Sequence, residues 1–257
     1  MKRIPYIYLI VLTSLLVSCT NELPSQGRGE GTFLLSLLTA EVTTEEISRA
    51  ATFDFDVDTF KVTVADAKGL ELIKRKAYGQ ITEVDRTLPV AQDYRIDVES
   101  CSPSEALETN NNWGKERFFG TATFAIANNE TTSLSIECTM ANAGLVIIFD
   151  NSFVSKFPTY AATTQDVRSL VFKNTTTPGV AYYNTDQSTI SVPVRFTGSS
   201  GGWNDRIDIT KDVLLSKGKI TRLRVKYNDG TSTDGDANIS FETDTSMTET
   251  NDDVMVE

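Results

Sequence analysis

The sequence contains no histidine in its 257 residues. That absence removes serine and cysteine triads built on imidazole, the HExxH zinc proteases and nearly every histidine-containing metal site. Cysteine is scarce, with only Cys19, Cys101 and Cys138 in the chain. A chain of this length can build real cores without cysteine staples or metals. Positive charge is in deficit: 24 Lys and Arg against 35 Asp and Glu leave a formal net charge of −11, which argues against electrostatic binding to nucleic acid or to an anionic membrane. Helical periodicity is also scarce, confined to short turns around Ser152–Lys156 and Lys211–Ser216. Asn228-Asp229-Gly230 and Asp234-Gly235-Asp236 do not fit the calcium-loop pattern and read as acidic hairpin turns, so no metal and no cofactor is expected. Carboxylate chemistry survives these exclusions, because a glycosidase needs only two acids at the right separation.

What is present begins at the amino end. Lys2 and Arg3 precede an apolar stretch from Ile4 to Val17, which ends on Leu16-Val17-Ser18-Cys19. This is the pattern of a bacterial lipoprotein signal (residues 1–18), cut between Ser18 and Cys19 with a lipid attached to the Cys19 thiol. The apolar run is too short to cross ~30 Å of hydrocarbon comfortably, and no stop-transfer charges follow. Residues 19–30 are polar, with Pro24, Gly27 and Gly29, and read as a flexible tether. The expected location is the cell envelope, with the chain lipid-anchored to the outer membrane and facing either the periplasm or the surface.

Beyond the tether, alternation with period two dominates. Phe60, Val62 and Val64 alternate with Lys61 and Thr63, and Tyr94, Ile96 and Val98 with Arg95 and Asp97. Leu134, Ile136 and Cys138 follow suit, as do Ile190 to Phe196 and Leu223 to Tyr227. Each such run predicts a strand with one dry and one wet face. Leu145 to Phe149 is apolar on both parities and predicts a strand buried on both sides. Turn signals at Lys68-Gly69, Asn110-Asn111-Asn112, Asn128-Asn129, Pro178-Gly179 and Gly198 to Gly202 separate the runs. Many short strands with frequent turns predict an all-β sandwich architecture. A break near Ala141–Gly144 divides an N-terminal domain, residues 31–142, from a C-terminal domain, residues 143–257. No internal repeat is visible.

The succession of these features resembles the fimbrillin-like lipoproteins of Bacteroides-type bacteria, and most closely the DUF4493 branch. The resemblance is carried by Gly31-Thr32-Phe33-Leu34-Leu35-Ser36-Leu37, by Phe60 to Val64 with Asp66 and Gly69, and by Leu88-Pro89 before Tyr94 to Ser100. Phe118-Phe119-Gly120 with Phe124, Ser133 to Cys138, Asn142 and Val146 to Phe149 complete it. Ala91-Gln92-Asp93 departs from the family's pattern, which usually carries a glycine before the tyrosine. The resemblance implies two tandem transthyretin-like, Greek-key β-sandwich domains serving as pilus subunits or adhesin parts. It also implies cleavage after an arginine, which removes the first strand and opens a groove for a strand from another subunit. Arg49-Ala50, in a polar segment after an expected strand Thr32–Val42, is the candidate site; the other reading makes Arg49 an ordinary loop residue in an uncut chain. A donor strand could come from the carboxyl end, where Ile239, Phe241 and Thr243 share a parity, or that segment completes its own domain.

Two further pairs of residues carry open readings. Cys101 and Cys138 either form a disulfide, which an exported protein tolerates, or remain two separate semi-buried thiols. Trp113 and Trp203 sit in polar loops and either stack on sugar or fold back as caps on the core. Three functions follow: a non-enzymatic fimbrillin-like pilus or adhesin component, a carbohydrate-binding surface lipoprotein, and, least favoured, a carboxylate hydrolase. The expected partners are a membrane through the N-terminal lipid and other fimbrillin-like subunits or a host or glycan ligand.

Overall fold

Alternation of apolar and polar residues is converted into buried and exposed faces along most of the chain. The computed structural model describes residues 29–39, 56–173, 179–200, 206–228 and 239–244. Seven strands form the N-terminal half: β1 (Glu30–Thr39), β2 (Lys61–Ala65), β3 (Glu71–Ala77), β4 (Thr87–Pro89), β5 (Ala91–Glu99), β6 (Phe118–Ile126) and β7 (Thr131–Met140). They pair in the order β3-β2-β5-β6-β7-β1-β4. In β5, Tyr94, Ile96 and Val98 are buried while Arg95 is exposed. Two short helices interrupt the strands, α1 (Glu83–Arg86) and α2 (Pro103–Glu108). Each begins on a reciprocal cap, Thr82 with Asp85 and Ser102 with Glu105, which satisfies orphan amide groups of the first turn.

The C-terminal half contains β8 (Asn142–Phe149), β9 (Thr159–Thr164), β10 (Val171–Phe172), β11 (Ala181–Asn184), β12 (Thr189–Ser199), β13 (Arg206–Ser216), β14 (Ile220–Tyr227) and β15 (Ile239–Asp244). They make two four-stranded sheets, β10-β9-β12-β13 and β11-β8-β14-β15. Ala143, Leu145, Ile147 and Phe149 of β8 point into a core with Phe196, Leu215 and Leu223, and Val146 on the opposite face is buried as well. The one helix among the described residues of this half, α3 (Asn151–Lys156), is capped by Asp150 and stacks Phe153 on Phe149 with ring centroids 5.3 Å apart. The helical turn expected at Lys211–Ser216 is instead the end of β13, in register with β12 from Val194↔Lys211 to Thr189↔Ser216. Val213 and Leu215 are buried there while Asp212 and Leu214 face solvent, so the period-two component of the pattern decides the conformation.

The two halves share one topology. Adding seven to each strand number turns β3-β2-β5-β6 into β10-β9-β12-β13, and β4-β1-β7 into β11-β8-β14. In each half the first strand lies parallel to the seventh and antiparallel to the fourth. The repeat is therefore one of strand order, although none is visible in the sequence. Its departures are local: β6 pairs with β7 at Phe118↔Met140 and Phe119↔Thr139, and β15 has no counterpart in the N-terminal half. A single residue, Ala141, separates β7 from β8.

Candidate functional site: the slot filled by the first strand

The first strand is held by segments remote in sequence. β1 pairs with β7 in parallel from Thr32↔Thr131 to Thr39↔Cys138, and antiparallel with β4 only from Glu30↔Pro89 to Thr32↔Thr87. Its alternation is sharp. Gly31, Phe33 and Leu35 are buried, Leu37 is half-buried, and Leu34 and Leu38 on the other face are 50% and 54% exposed. Phe33 is fully buried, with its ring 5.5 Å from Phe124, which lies 5.4 Å from Tyr94.

The amino end of β1 is threaded into the turn between β6 and β7. The Thr32 N–H donates to the Glu130 carbonyl (2.9 Å), and the Asn129 N–H donates to the Glu30 carbonyl (2.9 Å). Asn129 takes φ 55°, a left-handed value that asparagine tolerates better than most residues. The Val90 N–H adds a bond to the Gly29 carbonyl at 3.0 Å. A Cβ on Gly31 would lie 2.3 Å from the Ala127 carbonyl oxygen and 2.8 Å from that of Glu130, so only glycine fits there. Past the short β4, the Tyr78 hydroxyl donates to the Leu35 carbonyl at 2.8 Å.

Other candidates fall out differently. Cys101 and Cys138 are both free and buried, the arrangement of the separate-thiol reading. Cys138 faces the N-terminal core beside Gly120, whereas Cys101 lies past the end of β5, its sulfur accepting from the Ser100 hydroxyl at 3.9 Å. Burial pushes both thiols up, Cys138 to about 11. Trp113 is partly buried and folds back onto the core. Its ring meets Phe172 edge-on at 4.7 Å and packs against the C-terminal core, and a Cβ on Gly179 would lie 2.9 Å from it. Cys19, the cleavage at Ser18, Arg49-Ala50 and Trp203 lie outside the described residues.

Trp113 belongs to a joint between the halves that sequence reasoning missed. Asn110, Asn111 and Asn112 take φ of 53°, 55° and 68°, a left-handed run that turns the tryptophan toward the C-terminal half. The Trp113 carbonyl accepts from the Tyr182 N–H at 2.8 Å, and Arg168 donates to the carbonyls of Asn112 (3.2 Å) and Tyr182 (2.8 Å). Tyr182 itself is buried among the N-terminal core residues. Asn142, fully buried, donates to the Lys115 carbonyl (2.8 Å) and accepts from the Arg117 N–H (3.1 Å). Nearby, Arg75 joins Glu99 (2.9 Å) and Glu105 (3.1 Å), and Arg117 joins Glu99 (3.0 Å). The run of three asparagines was the one available signal, read in sequence only as a turn.

Among the described residues no group of three or more His, Cys, Asp or Glu could hold a metal ion, and no helix is long and apolar enough to cross a membrane. No curated protein matches the chain. Among solved structures it is similar to the fimbrial anchor protein Mfa2 from Porphyromonas gingivalis, at 9% identity and a TM-score of 0.47, covering 83% of this chain and 97% of that one. It is also similar to a fimbrial assembly protein from Parabacteroides distasonis, at 12% identity and a TM-score of 0.40, covering 85% of this chain and 98% of that one. The model of the family described as a domain of unknown function, DUF4493, matches residues 29–257, tether end and both halves included, and the chain belongs to that family.

Proposed function

We propose that this chain is a non-enzymatic, fimbrillin-like cell-envelope lipoprotein, a pilus or adhesin component that joins other subunits by β-strand complementation at the β1 slot. The observation that carries the reading is the isolation of β1. It contributes Phe33 and Leu35 to the core, pairs among the described residues only with β7 and β4, and is joined to β2 by a stretch that contains Arg49. Loss of such a strand uncovers hydrocarbon worth several kcal/mol at ~25 cal/mol per Å², and an incoming strand restores both the burial and the ladder. Cys19 supplies the lipid anchor of the uncut chain, and cleavage at Arg49-Ala50 releases that segment with β1 and opens the slot.

Catalysis by paired carboxylates has no support in the electrostatics. A glycosidase acid must be held above its ordinary pKa, whereas Asp85, Glu105, Asp150, Asp166 and Asp208 are all displaced downward. With the Trp113 ring packed against the C-terminal core, the carbohydrate-binding alternative rests on Trp203, outside the described residues. The test is N-terminal sequencing of the protein recovered from cells. A population beginning at Ala50 is expected; chains that all begin at Cys19 would remove the strand-exchanging role.

A further inference from the structure

The slot around β1 does more than bury any apolar ribbon, because its two ends impose different demands. At the amino end, the carbonyls of Ala127 and Glu130 leave no room for a side chain at Gly31. They cannot retreat cheaply, since the same turn supplies the bonds to Glu30 and Thr32. Two residues on, the station held by Phe33 is fully enclosed and faces Phe124. Two further on, the Leu35 station is buried and its carbonyl receives the Tyr78 hydroxyl, a contact with backbone that sets register whatever the side chain.

We propose that the β1 slot reads the sequence of its occupant. A strand running parallel to β7 must carry glycine, then an aromatic residue two places on, then an aliphatic residue two places beyond. It therefore comes from a different polypeptide bearing that motif, and not from the carboxyl-terminal strand of a second copy of this chain. In the 257 residues, Gly31-Thr32-Phe33-Leu34-Leu35 is the one segment with this spacing. If β15 entered with Phe241 at the Phe33 station, Ile239 would fall where only glycine fits. With Ile239 there instead, the aromatic contact to Phe124 is lost and the Ala237 methyl meets the Ala127 carbonyl. The inference rests on the strand-exchange reading above.

The test uses the full mature chain with a protease recognition sequence placed within residues 40–55. The chain is nicked there and titrated with a fluorescent peptide of residues 29–39. Unlabelled wild-type peptide is expected to displace the label. A Gly31→Val peptide competes about tenfold or more weakly because it overfills the site, and a Phe33→Ala peptide about a hundredfold more weakly for the lost burial. A peptide of residues 237–245 does not compete. Tyr78→Phe in the protein weakens every peptide about fivefold without changing their order. Competition by the Gly31→Val or 237–245 peptide within threefold of wild type overturns the proposal while leaving strand exchange intact. Failure of the wild-type peptide to exchange at all ends the strand-exchange reading, and this inference with it.

Discussion

At the scale of single residues, the most consequential side chain outside the β1 slot is Asn142. It is completely buried and uses both ends of its amide on the backbone of residues 115 and 117, while its own carbonyl accepts from Gly218 at 2.8 Å. Alanine there would leave the half-buried Arg117 N–H and Lys115 C=O without partners, a cost of about 1–3 kcal/mol. Urea unfolding of Asn142→Ala should show a free energy of unfolding lower by that amount, and an unchanged midpoint would refute the role. The thiols give a second prediction at this scale. With Cys101 and Cys138 unbridged, the unfolding midpoint should be the same with and without reductant, and both sulfurs should react with a thiol reagent only in denaturant. A reductant-sensitive midpoint would contradict the free-thiol arrangement.

At the scale of elements, the two capped helices couple stability to pH. Asp85 is held at about 2, below its ordinary 3.8, by the Lys76 ammonium and by Thr82. Glu105 is held at about 2, below 4.5, by Ser102 and then Arg75. A carboxyl depressed by folding stabilises above its unfolded pKa, and that contribution is lost as pH falls through the folded value. Stability from these caps should therefore be complete above about pH 5 and fade toward pH 2, by a modest amount because Glu105 is 57% exposed and solvent screens its pair with Arg75. Asp85→Asn together with Glu105→Gln should flatten the acid limb of the stability profile measured by thermal melts; an unaltered limb would show that other carboxylates govern it.

Elements also show what a sequence of this kind reveals. Strands with one wet face announce themselves, as in Phe60 to Val64 or Tyr94 to Val98, because solvent punishes an apolar residue on the wrong parity. Short α3 was legible from its small amphipathic turn. The end of β13 was not, since Lys211 to Ser216 offers apolar residues compatible with either period, and only pairing with β12 decides between them. Strands as short as β4 and β10 carry too few residues to show any period. Within the β1 slot, the apolar stations Phe33 and Leu35 could be read directly, whereas Tyr78 and the close approach at Gly31 depend on contacts across 43 or more positions in sequence. That Trp113 caps a core was among the readings available in sequence, but its partner Phe172 was not, since it lies in the other half.

At the scale of the whole molecule, the joint built on Trp113, Arg168, Tyr182 and Asn142 makes the two halves interdependent. Trp113→Ala removes an aromatic wedge from the C-terminal core and should cost about 2–3 kcal/mol, below the range for fully buried aromatic truncations because the ring is only partly buried. Calorimetry should then show one transition splitting into two as the halves lose their common contact. A single undisplaced transition would assign the joint to other residues. The shared strand order of the halves has no matching sequence repeat, because register and pairing constrain side-chain character and not identity.

The passage from β7 to β8 carries the backbone from one half to the next through Ala141 alone. Tension applied at the amino terminus would enter β1 lengthwise and pass to β7 across the whole registered ladder from Thr32 to Thr39 at once. From there it would travel covalently into β8 and on to β14. Such a load path strains many bonds in concert and resists peeling for as long as β1 occupies its slot.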